Sequence, residues 1–238
     1  MNNKAWTIAK INYKTLRVLL IPTLSTMFAL AISDIINYFV MSGTGGTGIS
    51  ISPANALWLL PVMVAIALPA FSLRRIINLG GKRDGFFWGG ILTYVILAAV
   101  ASLLVTLSHF TIEQLLERSP YFDPNFLGGI VNLVEVFGWS DRGFVITFFQ
   151  QTALLILFAA FVHTLTASQG KWYGWVANVA IVAIISVFTP IPVLRRALVW
   201  FFNLILFHPN AWMQIIGCLV IAAGVYALSK PIIARKAI

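Results

Sequence analysis

Long apolar segments recur along the whole chain and limit its fold more than any other feature. Six of them have roughly the 20 residues that an α-helix needs to cross the hydrocarbon core of a bilayer. They cover residues 17–40, 53–73, 86–108, 144–167, 173–189 and 211–229. Charged residues make up only 10% of the sequence, whereas about 25% is usual in soluble domains. The sequence predicts an all-α membrane protein with six transmembrane helices, forming one membrane domain over residues 1–238.

The distribution of lysine and arginine gives the expected orientation. If the N-terminus lies in the cytoplasm, every basic residue except Arg118, Arg142, Arg195 and Arg196 falls in a cytoplasmic segment. This bias is the positive-inside pattern of membrane proteins. We therefore expect a multi-pass protein of the plasma membrane with both termini in the cytoplasm. The same bias explains the net charge of +9, so no nucleic-acid partner is expected.

One further apolar segment, residues 193–207, lacks the features of a simple span. Pro192 and Pro209 bracket it, and Arg195 and Arg196 lie inside it. A span at this position would also move the basic C-terminal residues to the outer side. We expect an outer re-entrant or interfacial helix between spans five and six, which requires other parts of the protein to satisfy its non-helical backbone.

Two polar segments flank these spans. Residues 1–16 contain Lys10 and Lys14 beside an apolar stripe, which predicts an N-terminal helix lying at the membrane surface. A plain basic tail is the alternative. The longest outer segment, residues 109–143, is expected to carry structure or a function of its own, because long excursions without either are uncommon.

Catalytic and metal-binding motifs are missing from the sequence. It contains no GxxxxGK[ST] phosphate-binding loop. Residues 43–48, GTGGTG, match a dinucleotide-binding pattern by letters only, because they link two membrane spans. His109, His163 and His208 are widely separated, so no metal site is expected, and His163 is expected to hydrogen-bond a neighbouring helix. We expect no catalytic residues and no cofactor in this chain.

Polar residues within the apolar spans form a second group of candidates. Asp34 and Asn37 lie one helical turn apart in the first span, and an acid inside a bilayer normally faces protein or water. Gln150 and Gln151 lie in the outward third of the fourth span, at a similar depth. These four residues are candidates for a polar translocation path. Hydrogen bonding between helices, or placement near the lipid headgroups, is the alternative.

The segment NLGGKRDGFFWGG, residues 78–90, is the most unusual part of the sequence, because it places charge and glycine between two spans. Part of it is explained by an ordinary cytoplasmic turn. However, Gly80-Gly81-Lys82-Arg83-Asp84-Gly85-Phe86 fits the pattern Gly-x-x-Arg/Lys-x-x-Phe/Tyr. The segment therefore resembles the first cytoplasmic loop of export permeases of the second architectural type in the ABC transporter superfamily. The N-terminal surface helix, the six spans and the outer re-entrant segment extend the resemblance to most of the chain.

This resemblance implies a transport function for the chain and a set of partners. Two copies of a separate ATP-binding subunit would hold ATP and Mg, and a second permease subunit, identical or related, would complete the pore. Lys82, Arg83 and Asp84, between Gly81 and Phe86, would meet the ATP-binding subunit, with the Lys10 and Lys14 helix alongside. The exported substrate would be an amphipathic or hydrophobic peptide, antimicrobial, drug or lipid.

Two details depart from the family pattern, and two other functions stay open. Gly81-Lys82 stands where the family usually has a serine or threonine before the base, and residues 109–143 have no counterpart that we can place. An ion- or proton-coupled carrier that uses Asp34 is the first alternative; it would require Asp34 to titrate during transport. A non-transporting membrane scaffold is the second; it would tolerate replacement of Lys82 and Arg83.

Overall fold

The computed structural model of the chain describes residues 19–33, 36, 50–113 and 130–235. Helices make up nearly all of this part of the chain, together with two short strands. The helices are α1 (Leu19–Ser33), α2 (Pro53–Asn78), α3 (Arg83–Thr111), α4 (Leu133–Val136), α5 (Phe144–Ser168), α6 (Trp172–Phe188), α7 (Pro192–Phe207) and α8 (Ala211–Ala234). Strands β1 (Ser50–Ile51) and β2 (Ile130–Val131) pair in parallel, with Ser50 opposite Ile130.

Four of these helices, α2, α3, α5 and α8, are long and apolar enough to cross a membrane. Each contains one of the segments predicted from the sequence, and α2, for example, continues past the predicted residue 73 to Asn78. Helices α6 and α7 meet at a bend of 116°, so together they form either a fifth, broken span or a re-entrant hairpin. Of the predicted first span, 17–40, only residues 19–33 and 36 are described, and α1 is a shorter apolar helix. The described residues thus contain four to five candidate spans.

Helix α2 changes its hydrogen-bonding pattern where a proline interrupts it. Pro69 has no backbone N–H to donate to the preceding turn, so the regular α-helical ladder cannot continue through it. The chain accommodates Pro69 with one π-helical turn, Leu68–Ser72, before the α-helix resumes at Leu73. Pro53, by contrast, lies in the first turn of α2, where no N–H donor is required.

Helix α5 is the centre of the bundle and packs against α8, α3 and α2. Its buried side includes the small residues Ala153, Ala159 and Ala160, which let neighbouring helix backbones approach closely. Most side chains of α6 and α7 are exposed, in contrast to those of α5. The described residues therefore include a packed core of four helices, α2, α3, α5 and α8, with the bent pair α6 and α7 at its side.

The helices alternate in direction, which gives the bundle two distinct ends. The loop end contains the turn 79–82, the turn 169–171 and the C-terminus of α8. The opposite end contains the starts of α2, α5 and α8, with β1, β2 and α4 nearby. Trp58, Phe137, Trp139 and Phe207 form an aromatic cluster there, and Trp58 stacks on Trp139 with ring centroids 6.2 Å apart.

Candidate functional site at the loop end

Two glycines end α2 and set the geometry of the turn 79–82. The Gly80 N–H donates to the Ile77 carbonyl (2.9 Å) and the Gly81 N–H donates to the Ile76 carbonyl (2.8 Å), which is the Schellman arrangement. Gly80 has a φ of +78°, a conformation that side chains disfavour. A Cβ atom on Gly81 would lie 2.5 Å from Ile76 Cγ2, so only glycine fits at that position. The turn is therefore a defined structure.

Charged side chains project from this turn into the surroundings. Lys82 has extended backbone angles and directly precedes the first residue of α3, and Asp84 lies in the first turn of α3. Both side chains are exposed. Asp84 is favourably placed there, because the N-terminus of a helix carries a partial positive charge. Phe86, two residues further on, is fully buried and anchors the start of α3 in the core.

Arg83, between these exposed residues, points inward to the end of another helix. Its Nη1 atom donates to the Ile233 carbonyl at 3.3 Å and also to the Ala234 carbonyl. These carbonyls belong to the last turn of α8, where an α-helix leaves its C=O groups without partners inside the helix. A guanidinium at that position satisfies them and complements the negative end of the helix dipole. The predicted group of Lys82, Arg83 and Asp84 thus divides into two exposed residues and one half-buried residue.

A second set of contacts holds the start of α3 against α8. The Tyr226 hydroxyl donates to the Phe87 carbonyl at 3.0 Å, and the two rings lie 4.8 Å apart. The Lys230 ammonium lies 5.9 Å from the centre of the Phe87 ring, within the range of a cation–π contact. A Cβ atom on Gly90 would lie 2.5 Å from the Tyr226 hydroxyl. The two helices are therefore in close contact at this level.

Helix α5 joins this arrangement through His163. The Tyr94 hydroxyl and His163 Nδ1 are 2.6 Å apart, and the His163 ring lies 4.9 Å from the Tyr226 ring. All three side chains are buried. The Thr164 hydroxyl donates to the Val225 carbonyl at 3.0 Å. The prediction that His163 bonds a neighbouring helix is confirmed, and a buried network links α3, α5 and α8.

The two glutamines of the predicted translocation path lie toward the opposite end, and both are fully buried. Gln150 Nε2 donates to Gln214 Oε1 at 2.5 Å, and Gln214 Nε2 donates to the Ile205 carbonyl at 2.9 Å. Gln151 Oε1 accepts a hydrogen bond from the Thr106 hydroxyl at 3.4 Å. Both side chains therefore make the hydrogen bonds between helices that were the alternative interpretation. Their role in a translocation path stays a prediction.

The remaining predicted residues lie outside the part of the chain that the structure describes. These are Asp34 and Asn37 of the polar group, and Lys10 and Lys14 of the N-terminal helix. The glycine segment 43–48 lies outside it as well. Their positions relative to the glutamines and to the turn 79–82 stay predictions.

The end of α7 has backbone carbonyls that the helix itself does not satisfy, and other elements supply the donors. The Trp139 indole N–H donates to the Leu206 carbonyl at 2.9 Å. Arg142 Nη2 donates to the His208 carbonyl at 2.8 Å. The Gln214 bond described above completes the set. Sequence reasoning singled out none of these donors, because such contacts join positions that are far apart in the chain.

The described residues contain no candidate metal site. Among residues 19–33, 36, 50–113 and 130–235, no three His, Cys, Asp or Glu side chains come close enough together to hold an ion. The groups that converge at the loop end are instead guanidinium, hydroxyl, imidazole and backbone carbonyl groups. Such groups hold helices together and present charge.

Comparison with models of known protein families, with characterised proteins and with solved structures found no match. The class of the molecule therefore follows from its own architecture. The described residues form the apolar helical bundle of an all-α, multi-pass membrane protein.

Proposed function

We propose that the chain is the membrane-spanning subunit of an ATP-driven exporter, and that the turn 79–82 with the start of α3 binds a separate ATP-binding subunit. The observation that carries this proposal is the combination of exposed charge and a stiff support. Lys82 and Asp84 are exposed, whereas Gly81 and Phe86 on either side are closely packed. A surface of this kind can receive a force from a partner and pass it to the spans.

The support for the turn matters because a flexible loop would absorb the movement of a partner. The turn is closed by two backbone hydrogen bonds at its α2 side. On its α3 side, Arg83 and Phe87 are bonded to α8. Both exposed charges therefore stand on backbone that is attached to two membrane helices.

The proposal includes six spans, with α6 as the fifth, and an outer re-entrant helix, α7, between spans five and six. The bend of 116° between these helices supports this topology. The carbonyls of Leu206 and His208 accept hydrogen bonds from Trp139 and Arg142, which is the satisfaction that non-helical backbone requires at membrane depth. In this arrangement the loop end and both termini face the cytoplasm, and the protein resides in the plasma membrane.

The assembly would contain two ATP-binding subunits and two permease subunits, identical or related. ATP and Mg bind the partner subunits, and this chain contributes helices and the docking turn without catalysing a reaction. The substrate class that we propose is an amphipathic or hydrophobic molecule, such as a peptide, antimicrobial, drug or lipid. The low charge of the sequence supports this class, because only 10% of its residues are charged.

Affinity purification of the tagged chain from its native membrane tests the docking role. Lys82→Glu combined with Asp84→Lys reverses both exposed charges of the turn while the net charge stays the same. We expect the wild-type chain to recover a protein with a phosphate-binding loop. The double variant should recover at least about tenfold less of that protein, because like charges placed together cost several kcal/mol. Mass spectrometry identifies and quantifies the partner.

Arg235→Glu is the matched control, because Arg235 is an exposed base at the same end of the bundle. It should leave the recovery unchanged. If the wild-type chain is repeatedly purified alone and still transports, the ATP-driven exporter is the wrong proposal, and a carrier becomes the better one. Equal loss of the partner in Arg235→Glu would show that the turn has no special role.

A further inference from the structure

The placement of Arg83 differs from that of its charged neighbours in a way that the docking role alone does not explain. Arg83 follows Lys82 and precedes Asp84, and both of these are exposed. Its own guanidinium instead reaches the Ile233 and Ala234 carbonyls, 150 and 151 positions further along the chain. The Arg83 guanidinium is therefore bonded to the backbone of this chain.

The chemistry of this contact suits a mechanical link. A guanidinium is planar and permanently charged, and its hydrogen bonds are roughly twice as strong as those between neutral groups. The carbonyls that it contacts belong to the last turn of α8, where the helix provides no donors. Arg83 itself belongs to the first turn of α3, so its position follows the turn 79–82.

Neighbouring contacts make the linked region larger than one side chain. The Tyr226 hydroxyl donates to the Phe87 carbonyl, and Lys230 lies over the Phe87 ring. Gly90 approaches the Tyr226 hydroxyl so closely that a methyl group would not fit. The first two turns of α3 and the last three turns of α8 therefore form one packed unit, with Arg83 at the edge nearest the turn.

We infer that Arg83 is a positioning residue that transmits displacement of the turn 79–82 to the last helix, α8, whereas Lys82 and Asp84 make the contact with the partner. This inference rests on the proposed function, because the displacement originates in the ATP-binding subunit. It predicts that α3 and α8 move together when the partner closes. Of the three consecutive charged residues, Lys82 and Asp84 would therefore contact the partner, and Arg83 would transmit the displacement.

Distances between spin labels test the link in the purified chain. Leu79→Cys and Leu228→Cys place labels on exposed positions of the turn and of α8, in a Cys218→Ala background that removes the native cysteine. We expect one narrow distance distribution in this background. Adding Arg83→Gln should broaden or shift it, and Arg83→Lys should restore it in part, because lysine keeps the charge without the planar fork.

Lys82→Gln is the control, since it removes an exposed charge beside Arg83. It should leave the distance distribution unchanged. An unchanged distribution in Arg83→Gln would overturn the inference, because the link would then not depend on the guanidinium. This arm needs no partner, so it gives its answer even if the exporter proposal fails.

The complex with its partner provides the second arm. In Arg83→Gln, the ATP-binding subunit should still co-purify and hydrolyse ATP, but the shift of the Leu79 to Leu228 distance pair upon adding ATP and Mg should differ from that of the wild type. If Arg83→Gln loses the partner as completely as Lys82→Glu with Asp84→Lys, Arg83 contacts the partner itself and the inference is wrong. If the wild type recovers no ATP-binding subunit, the failure belongs to the proposed function.

Discussion

The two ends of the bundle contain the same kind of hydrogen bond in different surroundings. At each end an arginine donates to backbone carbonyls: Arg83 to Ile233 and Ala234 in the last turn of α8, and Arg142 to His208 just before the first turn of α8. At the loop end the arginine lies between two exposed charges. At the opposite end it lies beside the aromatic cluster, in which Trp58 and Trp139 are buried. One end carries the exposed charges that we propose for binding a partner, while the other stabilises the connection between α7 and α8.

The largest effect that we expect concerns the aromatic cluster at the opposite end. Trp139 is fully buried, and its indole N–H donates to the Leu206 carbonyl. Trp139→Ala should lower the free energy of unfolding by about 3–5 kcal/mol, the usual cost of removing a buried aromatic side chain. Circular dichroism during unfolding in mixed detergent micelles measures the change.

Trp200→Ala is the matched control for this prediction, because Trp200 is 67% exposed. Its effect should stay within about 0.5 kcal/mol, as for most surface substitutions. Similar losses in the two variants would mean that the cluster does not hold the end of α7. The contrast between a packed opposite end and a charged loop end would then fail.

A smaller effect is expected where α3 and α8 meet near the loop end. Gly90→Ala places a methyl group 2.5 Å from the Tyr226 hydroxyl and should displace its bond to the Phe87 carbonyl. Overpacking costs about 1–3 kcal/mol, and the better helix propensity of alanine offsets up to about 1 kcal/mol of it. The free energy of unfolding should therefore fall, measured as for Trp139→Ala.

Gly224→Ala is the control that measures the gain in helix propensity without a steric clash, since a Cβ atom there meets nothing within 4 Å. It should be neutral or stabilising. Adding Tyr226→Phe to Gly90→Ala should recover part of the lost stability, because the clashing oxygen is gone. Equal effects of the two glycine substitutions would show that α3 and α8 are not in close contact, and would weaken the transmission role of Arg83.

The sequence predicted the helices well because span length and apolarity are local properties. The start of α5 at Phe144 and of α8 at Ala211 coincide with the predicted boundaries. The glycine pair after α2 also carried a readable signal, because Gly80 and Gly81 follow the C-cap residue Leu79, where a Schellman turn is common. Helix α2 continues past the predicted span to Asn78, because Arg74 and Arg75 end the apolar run but not the helix.

Contacts between distant elements could not be predicted from spacing. Nothing near Arg83 in the sequence indicates Ile233 as its acceptor, because the contact depends on how α3 and α8 pack. Gln150 was singled out as polar within a span, but its partner Gln214 was not. Polarity inside an apolar segment identifies a residue that needs a partner, whereas the tertiary fold decides which partner it obtains.

The smallest effects that we expect concern two polar contacts, one in each half of the bundle. The Tyr94 and His163 pair lies toward the loop end with its polar atoms 2.6 Å apart, and the Thr106 and Gln151 pair lies toward the opposite end at 3.4 Å. Hydrogen bonds between membrane helices contribute about 0.6 kcal/mol on average and about 1.7 kcal/mol at most. Double-mutant cycles with Tyr94→Phe and His163→Leu, and with Thr106→Val and Gln151→Leu, measure both coupling energies.

We expect the Tyr94 and His163 coupling to lie near the upper value, because the short bond is supported by contacts between the His163 and Tyr226 rings. The coupling of Thr106 and Gln151 should lie near or below the average, because the Thr106 hydroxyl also donates to the Ser102 carbonyl at 2.7 Å. A larger coupling in the second pair would place the stronger polar link at the opposite end. Force from the turn would then have to reach α5 through apolar packing rather than through His163.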